Sequence, residues 1–166
     1  EVAGAGRRVV DLGLKDATAV VVGGGRGMGL AAARCLADDA ARVALVGRSR
    51  DVLDSAAADL SERGSPDAIG IVADVADEHQ ARQVFDEIAN RWGGELNILI
   101  NTVGPAVQGG FEQLSDDQWR NAVDGGVLGM VHCVRSALPL LRRAAWARIV
   151  NFSAQSTQRQ SPNLVA

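Results

Sequence analysis

The chain has 166 residues, a net charge of -3 and 47% hydrophobic residues, which suits one globular domain large enough to bury a substantial core. No apolar run approaches the roughly 18 residues that a membrane-spanning helix needs, and no basic patch invites nucleic acid. The first residues lack the apolar core of a secretory signal, so the expected location is the cytoplasm, and the absence of an initial Met points to a trimmed or incompletely shown N-terminus.

In chain order, short apolar runs alternate with amphipathic stretches. Ala17 to Gly23 is rich in β-branched residues and reads as the first strand. Gly27 to Asp38 follows as a helix with Met28, Ala32, Cys35 and Leu36 on its apolar face. Val43 to Gly47 is the second strand. Asp51 to Arg63 is the second helix, with Leu53, Ala56, Ala57 and Leu60 at helical spacing, and Gly64 ends it. Ala68 to Asp74 is the third strand. Asp77 and Gln80 have the spacing of a capping box for a third helix that buries Ala81, Val84, Phe85 and Ile88 and stops at Gly93-Gly94. Leu96 to Asn101 is the fourth strand. Ser115 and Gln118 repeat the capping spacing and open a long helix to about Arg143, where Arg142 and Arg143 suit the negative end of the helix dipole. Ala147 to Ser153 is the fifth strand.

Strands and helices in strict alternation with short links require a parallel sheet covered on both faces. Right-handed crossovers and a glycine turn after the first strand predict an α/β, Rossmann-type, doubly wound sheet in the order 3-2-1-4-5. Residues 1–166 read as a single domain, apparently incomplete at the C-terminus. Cys35 and Cys133, far apart in apolar helical patterns, read as two buried thiols in a reducing compartment. No Cys/His spacing suggests a metal site, and none is expected. His79 and His132 read as single structural histidines, and the neighbouring acids Asp38-Asp39 and Asp116-Asp117 point apart on their helices. Trp92, Trp119 and Trp146 read as packing residues at element ends.

Between the first strand and the first helix stands Val22-Gly23-Gly24-Gly25-Arg26-Gly27-Met28-Gly29. A turn with so few side chains lets the backbone approach a pyrophosphate, with amides and a helix N-terminus as donors. Side chains at Gly23 or Gly29 would crowd the ligand or the helix–sheet contact. The spacing is Gly-x-x-x-Gly-x-Gly. It resembles the cofactor motif of the short-chain dehydrogenase/reductase family, with Val22 where a Thr is usual. Further motifs follow in the family's order: Ala73-Asp74-Val75, then Ile100-Asn101-Thr102-Val103-Gly104, similar to an Asn-Asn-Ala-Gly stretch with its second and third residues changed, then Arg148-Ile149-Val150-Asn151-Phe152-Ser153. The resemblance runs from about Leu14 to Ala166.

The resemblance implies an NAD(P)H-dependent oxidoreductase, among which the 3-oxoacyl-thioester reductases are one variety, acting on a small carbonyl or alcohol. Gly23, Gly25, Arg26, Gly27, Met28, Arg48, Ser49, Asp74, Val75, Asn101, Thr102, Val103 and Gly104 are expected to contact the cofactor. The second strand ends in Gly47-Arg48-Ser49-Arg50, with no acid before Asp51. A carboxylate there would hold a free ribose 2′-OH, whereas a guanidinium suits a 2′-phosphate, so NADP(H) is expected over NAD(H).

The catalytic end departs from the family's pattern. The family's helix Asn falls at Gly126, and its Ser falls at Ala154 if Ser153 aligns with the first of the usual serine pair. Ser156 or Ser153 is therefore the candidate hydroxyl, and a serine there is otherwise a turn residue. The family's general acid is a Tyr assisted by a Lys four residues later, expected at or just beyond Ala166; the chain contains no Tyr. The apolar long helix and the family's habit imply a homo-oligomer, a dimer or tetramer. The alternative from another class is a non-catalytic nucleotide-binding module. A methyltransferase on a similar sheet would prefer an acid where Arg48 stands.

Overall fold

The computed structural model describes residues 12–104 and 107–153. Its elements are β1 (Thr18–Val22), α1 (Gly27–Asp38), β2 (Arg42–Gly47), α2 (Arg50–Glu62), β3 (Ala68–Val72), α3 (Glu78–Trp92), β4 (Ile98–Asn101), α4 (Asp116–Ala122), a π-helical stretch (Val123–Leu128), α5 (Gly129–Leu141) and β5 (Arg148–Asn151). The strands pair in parallel in the order β3-β2-β1-β4-β5, as the alternation of the sequence requires.

Successive side chains of a strand point to opposite faces, and β1 shows what that does at the centre of a sheet. Val20 and Val22 pack with Phe85, Ile88, Leu99 and Cys133 beneath α3 and α5. Ala19 and Val21 pack with Ala33, Leu36, Leu53 and Leu60 beneath α1 and α2. Both faces are covered, so every residue of β1 is buried and Ala19 to Val22 is an unbroken apolar run. The edge strand β5 is exposed along its length.

The helix ends follow local chemistry. Asp77 accepts from the amides of His79 (2.8 Å) and Gln80 (3.2 Å) and starts α3. The Gln80 side-chain oxygen does not close the expected box on Asp77; it accepts from the Asp74 amide at 2.9 Å and steadies the end of β3. At α4 the box is complete: Gln118 donates its amide to Ser115 Oγ, and the Ser115 amide donates to Gln118 Oε1. Arg63 bridges Asp59 of its own α2 and Asp38 of α1, each at 3.1 Å, and Arg34 reaches Asp59 at 2.7 Å. The Arg34 hydrogen bond, joined by Arg63, holds the Asp59 carboxyl below the usual carboxylate range. These pairs fasten α1 to α2.

Two expectations are corrected. The buried stripe of α1 is Gly29, Ala33, Leu36 and Ala37, one position round from the face expected through Met28, Ala32 and Cys35. The close seat of Gly29 against the Gly23 carbonyl sets that rotation, so Met28 is 63% exposed. Cys35 is consequently an exposed thiol, whereas Cys133 is fully buried and burial pushes its thiol up to about 12. The single helix expected from Ser115 to about Arg143 runs without a gap from Asp116 to Leu141. Its π-helical segment includes Asp124-Gly125-Gly126, where adjacent glycines weaken helix propensity and the turn widens. α5 ends at Leu141 with Pro139 in its last turn, so Arg142 and Arg143 stand just beyond it. Of the tryptophans, Trp92 is buried and donates to Asp67 at 2.9 Å, Trp119 meets Phe111 edge to face, and Trp146 is exposed.

Candidate functional site

In a parallel sheet of this order the chain leaves β1 and β4 at the same edge, and helices depart to opposite sides, which opens a crevice at the strands' C-terminal ends. The glycine turn occupies the middle of that edge. The Gly23 amide donates to the Val46 carbonyl at 2.8 Å, extending the sheet by one residue, and Gly23 then turns with φ 79°. A Cβ on Gly23 would stand 2.5 Å from Thr102 Oγ1, and a Cβ on Gly29 would collide with the Gly23 carbonyl. The space at both ends of the turn admits hydrogen only. A Cβ on Gly25 would meet Val52 of α2 at 2.9 Å, so the turn is also pressed onto that helix.

Arg26 is the N-cap of α1 and offers no side-chain acceptor to the first-turn amides. Those amides and the positive end of the helix macrodipole are left facing the crevice. Arg26, Gly27 and Met28 are all exposed there. The expected turn contacts are therefore brought to one place.

Beside the turn, the end of β2 forms a depression with it, lined by Gly23, Arg26, Gly47, Arg48 and Ser49. Neither guanidinium, of Arg26 or of Arg48, has a hydrogen-bond or ion-pair partner among the described residues. Ser49 caps α2 without engaging its hydroxyl. Arg50 behaves differently: Nη1 donates to the Gly70 carbonyl at 3.0 Å and lies 3.7 Å from Asp54. Arg48 is the arginine free to meet a ligand; Arg50 is committed to β3 and its own helix.

A second cavity lies between the ends of β2, β3 and β4. Its apolar walls include Val46, Ala73, Val75 and Val103, and its polar groups include Asp74 and Asn121. Asp74 is held in place: its amide donates to Gln80, and its Oδ1 accepts from the Ala76 amide at 3.1 Å. His132 Nδ1 lies 3.1 Å from the Val75 carbonyl, which makes that nitrogen the protonated one and ties α5 to the end of β3. Thr102 and Gly104 also line this cavity. Asn101 does not line either depression. It is 3% exposed and donates through Nδ2 to Asn151 Oδ1 at 2.8 Å, tying β4 to β5, while its Oδ1 has no partner among the described residues.

Of the candidate hydroxyls, Ser153 is exposed just past β5 at this same edge, and Ser156 lies outside the described residues. Gly126 sits in the π-helical stretch without a side chain to offer. Asn121 is a lining residue that sequence reasoning missed. Its only signal is its i,i+4 spacing to Gly125, which also lines the cavity, and that signal has meaning only once the helix register is known. Among the described residues no group of three His, Cys, Asp or Glu side chains gathers as metal ligands. Among them, too, no helix is long and apolar enough to cross a membrane.

Comparison with known proteins places this geometry. The sequence profile described as short chain dehydrogenase matches residues 17–166. An uncharacterized oxidoreductase of Staphylococcus aureus (strain MW2) is 30% identical over 144 residues, which cover 86% of this chain and 60% of the relative. Meso-2,3-butanediol dehydrogenase of Serratia marcescens is 34% identical over 137 residues, covering 82% of this chain and 53% of the relative. The crystal structure of L-sorbose reductase from Gluconobacter frateurii, complexed with NADPH and L-sorbose, shares the fold with a TM-score of 0.89 at 24% identity, covering 94% of this chain and 59% of that one. The chain thus spans 60% or less of the length of these relatives.

The packing around the turn predicts a contrast between two glycines. Gly29→Ala must displace the Gly23 carbonyl and should cost about 1–3 kcal/mol. Among the described residues nothing lies within 4 Å of a Cβ placed on Gly104, so Gly104→Ala should stay within about 0.5 kcal/mol. Urea unfolding measures both, and equal losses would contradict the packing described.

Proposed function

The chain belongs to the short chain dehydrogenase family, and on that premise we propose that it holds NADP(H) and serves an oxidoreductase acting on a small carbonyl or secondary alcohol. The observation that carries the cofactor choice is Arg48 at the end of β2, without a partner among the described residues and sharing a depression with Arg26 and Ser49, whose hydroxyl does not cap α2. No carboxylate precedes Asp51 there. A ribose 2′-phosphate meets two guanidinium groups and a hydroxyl in this place; a plain 2′-OH meets no acceptor carboxylate, which leaves NAD(H) the weaker ligand.

The rest of the crevice fits the same molecule. The amides from Gly25 to Met28, cleared of side chains by Gly23 and Gly29, would hold the diphosphate. The apolar slot through Ala73, Val75 and Val103, with the Asp74 carboxylate at its side, would take the base, and Thr102 and Gly104 would border the dinucleotide. When bound, the nicotinamide gives or takes the hydride. The Asn101–Asn151 tie joins β4 to β5 at this edge of the sheet.

Negative charge gathering on a carbonyl oxygen needs a donor. Ser153 or Ser156 is proposed to supply one hydrogen bond from the loop after β5. The Tyr and Lys that the family resemblance assigns to proton transfer are proposed to lie in the part of its relatives' length that this chain does not span. The non-catalytic alternative gains nothing from the relatives above, each of which is named as an oxidoreductase, a dehydrogenase or a reductase. A reducing, cytoplasmic setting accords with two cysteines kept as free thiols.

Association between copies is also proposed. Val123, Val127 and Leu128 of the π-helical stretch are 48%, 52% and 40% exposed. An apolar surface of that kind is better covered than left in water. Sedimentation of the full chain at micromolar concentration should give a dimer or tetramer, and a monomer would contradict this.

Arg48→Asp removes the guanidinium and adds a carboxylate that repels a phosphate. Each lost charge-assisted hydrogen bond is worth about 1.5–3 kcal/mol, so NADPH should bind roughly tenfold to a hundredfold more weakly while NADH binds as well or better. Titration by calorimetry or by cofactor fluorescence reads both affinities. An unchanged ratio of NADPH to NADH affinity would remove Arg48 from cofactor choice.

A further inference from the structure

We propose that Thr102 is a positioning residue for the glycine turn and makes no direct contribution as a cofactor ligand. Its hydroxyl donates to the Val22 carbonyl at 2.8 Å, and its own amide donates to that same oxygen at 3.0 Å. The last carbonyl of β1 is therefore gripped twice by the one residue that leaves β4. The hydroxyl proton is committed to this bond, so Thr102 has no donor left for a ligand.

The same oxygen also occupies the gap between the two ends of the turn. Thr102 Oγ1 lies 2.5 Å from where a Cβ of Gly23 would stand and 2.7 Å from where a Cβ of Gly29 would stand. Both glycines are thus small because of Thr102 as well as because of any ligand. The peptide unit joining Val22 to Gly23 is held on both sides: its carbonyl by Thr102, and its N–H by the Val46 carbonyl of β2 at 2.8 Å. The turn starts from a peptide plane with almost no freedom to rotate. Amides that follow are aimed before a ligand arrives, and such preorganisation lowers the entropic cost of binding.

This inference rests on the proposed cofactor reading, and its test keeps the two apart by using two ligands on the full chain. NADP+ carries the diphosphate bridge. Adenosine 2′-monophosphate carries the base and the 2′-phosphate and places no phosphate at the turn. Thr102→Val keeps the volume and deletes the donor. Its Kd for NADP+, by calorimetry, should rise about tenfold, the effect of one hydrogen bond, while its Kd for the 2′-monophosphate should change less than about twofold. Thr102→Ser should return NADP+ binding to that of the unaltered chain. If Thr102→Val does not fold, Thr102→Ala replaces it beside Thr102→Ser with the same expected contrast. Undiminished NADP+ binding, or equal weakening of both ligands, would overturn the positioning role while leaving the cofactor reading intact. Binding of neither ligand by the unaltered chain would overturn the cofactor reading and this inference with it.

Discussion

The contact on which the site depends is the one between Gly29 of α1 and the Gly23 carbonyl at the end of β1. A helix can approach a strand end this closely only where both chains lack side chains. That approach fixes the rotation of α1, and the rotation decides which residues reach the core. Ala33, Leu36 and Ala37 turn inward, and Met28 and Cys35 turn outward. It also leaves the first amides of α1 facing the crevice without a capping side chain, next to the depression where Arg48 stands. One steric allowance thus sets the core of one sheet face and the donor array of the site.

The neighbouring parts are arranged so that few polar groups at this edge are left without a task. Gln80 and the Ala76 amide orient Asp74, His132 anchors the Val75 carbonyl, and Arg50 is drawn away to the Gly70 carbonyl. Against that background Arg26 and Arg48, without partners among the described residues, stand out by contrast. Two cationic groups next to a helix N-terminus add to one another's potential, and an anion entering the crevice is attracted by all three. The π-helical stretch adds room at the same place, because Gly125 brings backbone rather than a side chain to the cavity wall.

Much of this was legible in the chain of letters. β1 and β2 carry unbroken apolar runs, Ala19 to Val22 and Val43 to Val46, because both sheet faces are covered, and their alternation with amphipathic helices leads directly to a parallel sheet in the observed order. The turn is visible because glycines cluster between a strand and a helix. Features that depend on tertiary distance were not visible. The face of α1 is set by a backbone contact that periodicity does not encode. The π-helical widening of the long helix is signalled only by Gly125-Gly126, a pair equally compatible with regular α geometry. The family spacing singles out Arg48, but what keeps Arg50 from the same role, its bond to the carbonyl of Gly70 twenty residues further on, is not written in the local sequence. Asn101 sits within a cofactor-type motif, yet its side chain is directed to Asn151 on the neighbouring strand, a pairing known only from the register of β4 and β5.

The central claim is that main-chain donors of the glycine turn receive the diphosphate of a nicotinamide dinucleotide. Backbone amide resonances test it directly. On titrating NADP+ into the isotopically labelled full chain, the amides of Gly25, Arg26, Gly27 and Met28 should move the most, with Arg48 and Ser49 following, while those of Gly64 and Gly93 at remote helix ends stay still. Saturable binding that left the turn amides unmoved, or no binding at all, would contradict the account.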